Sequence, residues 1–173
     1  MVRFRLRIVL YAVIAAVVYG VVHNQFTARL CLEYFTIGHP PVFPTTSPTL
    51  LGLGWGVIAT WWVGAILGVA LAIAAGVGGR PERRPESLLR PLALLMAIAG
   101  LCAALAALVG WQLAESGAIW LVEPLASQVP PEKQSRFLSA GAAHLASYAV
   151  GFVGGAVLIW RVWRSRGRVG ESG

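Results

Sequence analysis

Polar residues are sparse along this chain and gather at a few places. Between them run four apolar blocks, at about 6–22, 50–77, 92–113 and 137–160. Each is close to the ~20 residues that an α-helix needs to cross hydrocarbon. The period-two alternation of barrel strands is absent, and only helices and closed barrels satisfy every backbone polar group within lipid. The pattern therefore predicts an all-α, polytopic membrane protein: four transmembrane helices in a bundle, one membrane domain over 1–173. The second block is longer than a span requires, which predicts tilt or an extension beyond the bilayer. The connections fall at 23–49, 78–91 and 114–136. The first is long and carries four prolines and several aromatics. A connection of that length is expected to fold against the helix ends. In the third, Ala118, Val122, Leu125 and Val129 share one face of a short amphipathic helix expected to lie in the interface plane.

The basic residues orient the spans. Arg3, Arg5 and Arg7 precede the first block, four arginines lie within 78–91, and Arg161, Arg164, Arg166 and Arg168 follow the fourth. Eleven positive residues thus face one side, against Arg29, Lys133 and Arg136 on the other. Lys and Arg remain on the cytoplasmic side of short flanks, so the reading is N-in and C-in. The loops at 23–49 and 114–136 are then outer, and 78–91 and the tail are plain basic flanks. Trp111 and Trp120 fall near the outer boundary and Trp160 and Trp163 near the inner one, where amphipathic rings prefer to sit. The first block has the basic start of a signal peptide. The stretch from Tyr19 to His23 offers no small-x-small cleavage site, so the block is read as a retained span.

Composition narrows the class further. Of 173 residues, 57% are hydrophobic and only 12% charged, with a mean hydropathy of +0.71, which excludes an ordinary soluble domain. The net charge of +7 does not indicate a nucleic-acid partner, because the arginines flank apolar blocks. The partner they imply is the lipid bilayer, including its anionic head groups. Cys31 and Cys102 sit at different depths, which argues against a disulfide between them. Cys102 reads as a small packing residue.

The densest polar set spans the end of the first block and the first loop: His23, Asn24, Gln25, Arg29, Glu33, Tyr34, Thr36 and His39. Imidazole and carboxylate are both common zinc ligands, so His23, Glu33 and His39 are candidate metal ligands. The topology brings His144 of the fourth block toward the same level. Their spacing matches no zinc motif, and the plainer reading pairs Glu33 with Arg29 and satisfies the histidines on loop carbonyls. Trp61 and Trp62 are candidates for stacking on a flat cofactor such as a quinone or haem, or for packing between helices. Thr60 can return its hydroxyl bond to the carbonyl four residues earlier. Gly64 and Gly68 form one small-xxx-small pattern and Gly151 and Gly155 another. Either serves packing within the bundle or a homodimer.

Three stretches carry a family resemblance. They are Tyr19-Gly20-x-x-His23-x-Gln25, then Glu33-Tyr34-Phe35-Thr36-x-Gly38-His39-Pro40, then Trp55-Gly56-x-x-Ala59-Thr60-Trp61-Trp62-x-Gly64. Together they resemble a group of small four-span bacterial integral membrane proteins with no known activity. The resemblance covers the first two helices and their loop and, more loosely, the region of His144. It implies a bacterial cytoplasmic (inner) membrane and supplies no catalytic residue.

Three function classes follow. The first is a non-enzymatic accessory or scaffold component with an ordered outer loop that meets a membrane or periplasmic protein. The second is a metal- or cofactor-binding protein, with or without enzymatic activity, whose site uses His23, Glu33, His39 and His144. The third is an oligomeric pore or transporter. A monomeric transporter is disfavoured, because the halves show no repeat and, apart from His144, the spans lack an ionisable residue deep in the membrane, which leaves the oligomeric form.

Overall fold

The computed structural model describes residues 2–78 and 80–166; Arg168 of the tail lies outside the described residues. The described chain is helical. Four segments are long and apolar enough to cross a membrane: Val2–Leu30, Pro48–Gly76, Pro85–Glu115 and Pro131–Ser165. The helices are α1 Val2–Leu30, α2 Glu33–Thr36, α3 Pro48–Ile58, α4 Trp61–Gly76, α5 Leu89–Glu115, α6 Leu125–Gln128 and α7 Gln134–Ser165.

The first helix is longer than its apolar block. It runs two turns past Val22 because its polar residues bond along the helix. Thr27 donates to the His23 carbonyl at 3.2 Å, and Arg29 donates to the carbonyl and side-chain oxygen of Gln25, both at 2.7 Å. Asn24, Thr27 and Ala28 are buried while Phe26 is exposed, so the extension is amphipathic. Residues 23–30, expected in the outer loop, are therefore helical.

The second span is interrupted. Helix α3 opens on Ser47, whose hydroxyl accepts from the Leu50 amide at 3.5 Å, with Pro48 in the first turn. It ends at Ile58. The Thr60 hydroxyl then takes the Gly56 carbonyl at 2.5 Å, and the Thr60 amide bonds Val57, a tighter three-residue step, at 3.2 Å. Hydroxyl back-bonding and a 3₁₀ step are recognised causes of a kink. Helix α4 resumes at Trp61. A continuous helix over 50–77 is thus corrected to two pieces meeting at Ala59–Thr60.

Glycines seat this span on α1. A β-carbon at Gly56 would lie 2.6 Å from the Val21 Cα, one at Gly64 2.8 Å from the Val13 Cα, and one at Gly68 2.7 Å from the Val9 Cα. Gly52 meets Asn24 in the same way. These partners descend along α1 as the glycines ascend, the register of an antiparallel pair. Thr60 occupies the one non-glycine position of this four-residue stripe, and α1 places Gly20 opposite it. Gly64 and Gly68 thus pack within the chain. Helices α5 and α7 form a second antiparallel pair through small residues. Ser139 donates to the Ala107 carbonyl at 2.8 Å, and a β-carbon at Gly110 would lie 2.7 Å from that of Ala142. The two pairs meet along α4–α7 and α1–α5.

The end of the molecule holding the arginines is closed by Ile8, Leu71, Ala75, Leu88, Leu92 and Val162. Here 78–91 and the tail prove to be more than plain flanks. Arg166 is buried, and its guanidinium donates to the carbonyls of Ala74, Val77, Arg80 and Pro81 at 2.7–3.0 Å. Two of these belong to the last turn of α4 or its cap, where orphan carbonyls and the helix dipole both favour a cation. At the opposite end the two long loops form a lid. Phe35, Cys31, Leu121, Val129 and Phe137 are buried beneath it. The amphipathic helix expected at 118–129 shrinks to α6, and only Val129 of its apolar face is buried, because the chain turns back over Phe137 there.

Candidate functional site

Between the lid and the closed arginine end lies a cavity of about 310 Å³, at the small end of ligand pockets. Its head is a cluster of rings, each placed by a different element. The extension of α1 carries His23, α7 carries His144, and the turn after α2 carries His39. The His23 and His144 rings meet edge to face with centroids 4.5 Å apart. His39 stands 6.4 Å from His144 and 4.7 Å from Trp55. Tyr34 stacks on His144 at 4.7 Å, and Tyr19, one turn before His23, stacks on it at 5.6 Å.

Proton positions follow from the partners. The Nδ1 of His39 lies 2.8 Å from the Tyr34 carbonyl; a carbonyl only accepts, so Nδ1 carries hydrogen and the neutral ring leaves Nε2 as an acceptor. Thr27 gives its proton to the His23 carbonyl and therefore accepts from His144 Nε2 at 3.3 Å. The neutral His144 ring then has Nδ1 as its free acceptor. Ser147 gives its proton to the Ala143 carbonyl at 3.0 Å and accepts from the Tyr19 hydroxyl at 2.6 Å. The Nε2 of His23 is buried and has no partner among the described residues. Native proteins leave few buried polar atoms in that state, and each calls for an explanation.

Away from the histidines the walls become apolar. They include Trp62, Ile66 and Ala70 of α4 and Phe152, Gly151 and Ile159 of α7. Ile66 is 63% and Phe152 71% exposed, and nothing lies within 4 Å of a β-carbon at Gly151. The cavity is thus a cleft along the α4–α7 seam, polar at the lid and open sideways. From His144 to Ile159 the α7 wall is about 22 Å long at the helical rise of ~1.5 Å per residue.

Three of the four metal candidates come together: His23, His39 and His144. Glu33 does not join them; it accepts from the Cys31 thiol at 3.4 Å. It does not pair with Arg29 either, which donates to Gln25 and to Thr49. Among the described residues no three His, Cys, Asp or Glu side chains are grouped so as to hold a metal ion. Of the tryptophan pair, Trp62 lines the cleft, whereas Trp61 is 52% exposed outside it. Neither is packed in the core. Asn24 of the polar set lines this cleft, and Thr27 and Trp55, to which the sequence assigns no role in it, also belong to the site. Thr27 was legible as the fourth residue after His23, had the helix been carried past Val22.

Cys31 and Tyr34, both in the lid, are shifted by burial. Desolvation pushes the Cys31 thiol up to about 11 and the Tyr34 phenol up to about 12. Both stay neutral at physiological pH. No family model, curated protein or solved structure matches the chain.

Proposed function

We propose that this protein is a four-helix bundle crossing a bacterial cytoplasmic membrane, with both ends inside, and that it binds an amphipathic small molecule. The asymmetry of eleven arginines against three basic residues supports the orientation. The exposed Trp111 and Trp120 toward one end, with Trp160 and Trp163 toward the other, support a bilayer between them.

The observation that carries the binding reading is the cleft itself, with the rings of His23, His39 and His144 at its polar head and apolar walls along the α4–α7 seam. The free acceptors on His39 and His144 suit hydroxyls. The rings of Trp55, Trp62 and Tyr34 suit a flat head, and the α4–α7 walls suit an apolar tail. A quinol-like molecule has this shape and polarity.

The test is organic extraction and mass spectrometry of detergent-purified protein, beside a His23→Phe variant that keeps ring volume and loses both nitrogens. One amphipathic molecule at near one per chain in the native protein, depleted at least tenfold in the variant, is the expected result. Equal recovery from both, or none from either, sinks the proposal. Elemental analysis runs alongside: near-stoichiometric metal, lost in both His39→Ala and His144→Ala, would replace this reading with a metal site.

The accessory or scaffold reading rests on a separate observation. Trp120 and Val122 are 71% and 68% exposed on the lid, a small apolar face available to a membrane or periplasmic partner.

A further inference from the structure

Another cavity lies at the arginine end, between the start of α5 and the end of α7. It holds about 830 Å³, and its wall has two chemically different parts. Arg83, Arg90, Arg161 and Arg164 supply four cations. Leu94 and Trp160, both exposed, continue the groove along the helices as apolar surface.

The arginines of this end are not equivalent. Arg166 is consumed by four backbone carbonyls. Arg7 forms an ion pair with Glu86 and also donates to Tyr11. Arg83 is held by Ser165 and Ser87. Among the described residues the wall of the groove contains no carboxylate: Glu86 faces Arg7, and Glu82 lies beside Gly76 at the end of α4. Arg164 lies over the Trp160 ring at 5.2 Å, which fixes its guanidinium beside the apolar part. Arg90 and Arg161, exposed on facing helices, complete the cationic rim. A groove of this kind presents positive charge at one level and bare hydrocarbon-facing surface next to it. Its complement carries negative charge joined directly to acyl chains.

We propose that this groove is a binding site for an anionic phospholipid, with the phosphate between Arg90, Arg161 and Arg164 and an acyl chain along Leu94 and Trp160. Guanidinium groups recognise phosphate oxygens with paired N–H donors, which an ammonium point charge does not reproduce. The site is separate from the histidine cleft and does not depend on what that cleft binds. It differs from a general attraction of basic flanks to anionic membranes, because only the arginines lining the groove belong to it.

The experiment is native mass spectrometry of the full chain in detergent with added phosphatidylglycerol or phosphatidylcholine. The native protein is expected to retain one phosphatidylglycerol in clear preference to phosphatidylcholine. Arg90→Gln with Arg161→Gln should reduce retention about thirtyfold, at roughly fivefold for each cation removed near a lipid phosphate. Arg3→Gln with Arg5→Gln removes the same charge from the same end and should leave retention within about twofold, since neither residue lines the groove. Equal loss in the two double variants would show that only net charge matters and would overturn the proposal. So would retention of phosphatidylcholine equal to that of phosphatidylglycerol, or displacement of the lipid by an equal concentration of glycerol phosphate. Both Gln positions are exposed and neither holds the fold together. An Arg90→Lys, Arg161→Lys protein should keep an intermediate preference, which separates charge from folding.

Discussion

At the scale of single residues, chemistry here is governed by what each polar atom has been given as a partner. Cys31 is the clearest case. Its thiol is buried beneath the lid with the Glu33 carboxylate 3.4 Å away, and burial, with the nearby negative charge adding to it, raises it to about 11. The thiolate is the reactive form, so with a pKa two units above the ordinary 9.0, labelling should be about a hundredfold slower than for an exposed thiol. In a Cys102→Ala background, maleimide labelling at pH 7 should be slow. It should rise about tenfold per pH unit while the thiol remains below its pKa, and become fast once detergent denaturation removes the lid. Rapid labelling of folded protein at pH 7 would mean that the lid does not cover Cys31. His23 shows the converse situation: a buried nitrogen with no partner among the described residues.

At the scale of elements, the helices are held together by close approach rather than by large apolar side chains. The α1 interface with α3 and α4 uses Gly52, Gly56, Gly64 and Gly68, with Thr60 fitted against Gly20. In lipid there is little hydrophobic drive between spans, and packing contacts carry the association. A methyl group at Gly56 would meet the backbone of Val21, which cannot give way as a flexible side chain can. Gly56→Ala is therefore expected to lower stability by about 1–3 kcal/mol, read as a lower detergent-denaturation midpoint. Gly151→Ala points into open space and should leave the midpoint unchanged while narrowing the cleft. A Gly56→Ala protein as stable as the native one would contradict this seam. The break at Ala59–Thr60 belongs to the same scale. It turns the chain where the cleft widens and places Trp62 on its wall.

At the scale of the whole molecule, one end is cationic and closed, the other is covered by a lid, and the α4–α7 seam between them is open. The proposed orientation, with the arginine end in the cytoplasm, predicts that reporter fusions after Arg84 are active only in cytoplasmic form. Fusions near Phe43 or Trp120 should be active only in exported form. Moving charge to the lid by Thr45→Arg with Gln128→Arg should weaken that bias without inverting it, since the inner arginines still outnumber the outer ones. The opposite reporter pattern would overturn the orientation, and with it the placement of the phospholipid groove in the cytoplasmic leaflet.

The number of long helices and their approximate limits were legible in the sequence, because span length is set by the thickness of hydrocarbon and leaves a mark in hydropathy alone. The small-residue spacing at Gly64 and Gly68 was legible too, though not which helix it would meet. Three matters were decided only by tertiary structure. Helix α1 continues to Leu30 on polar residues, which local hydropathy reads as loop but which bond along the helix and bury one face. His23, His39 and His144 come from distant parts of the chain, so no spacing motif can announce that their rings gather at one place while Glu33 turns to Cys31. The arginines divide into those that cap carbonyls, pair or remain free. That division depends on where α4, α5 and α7 end relative to one another, whereas a count of basic residues depends only on their number.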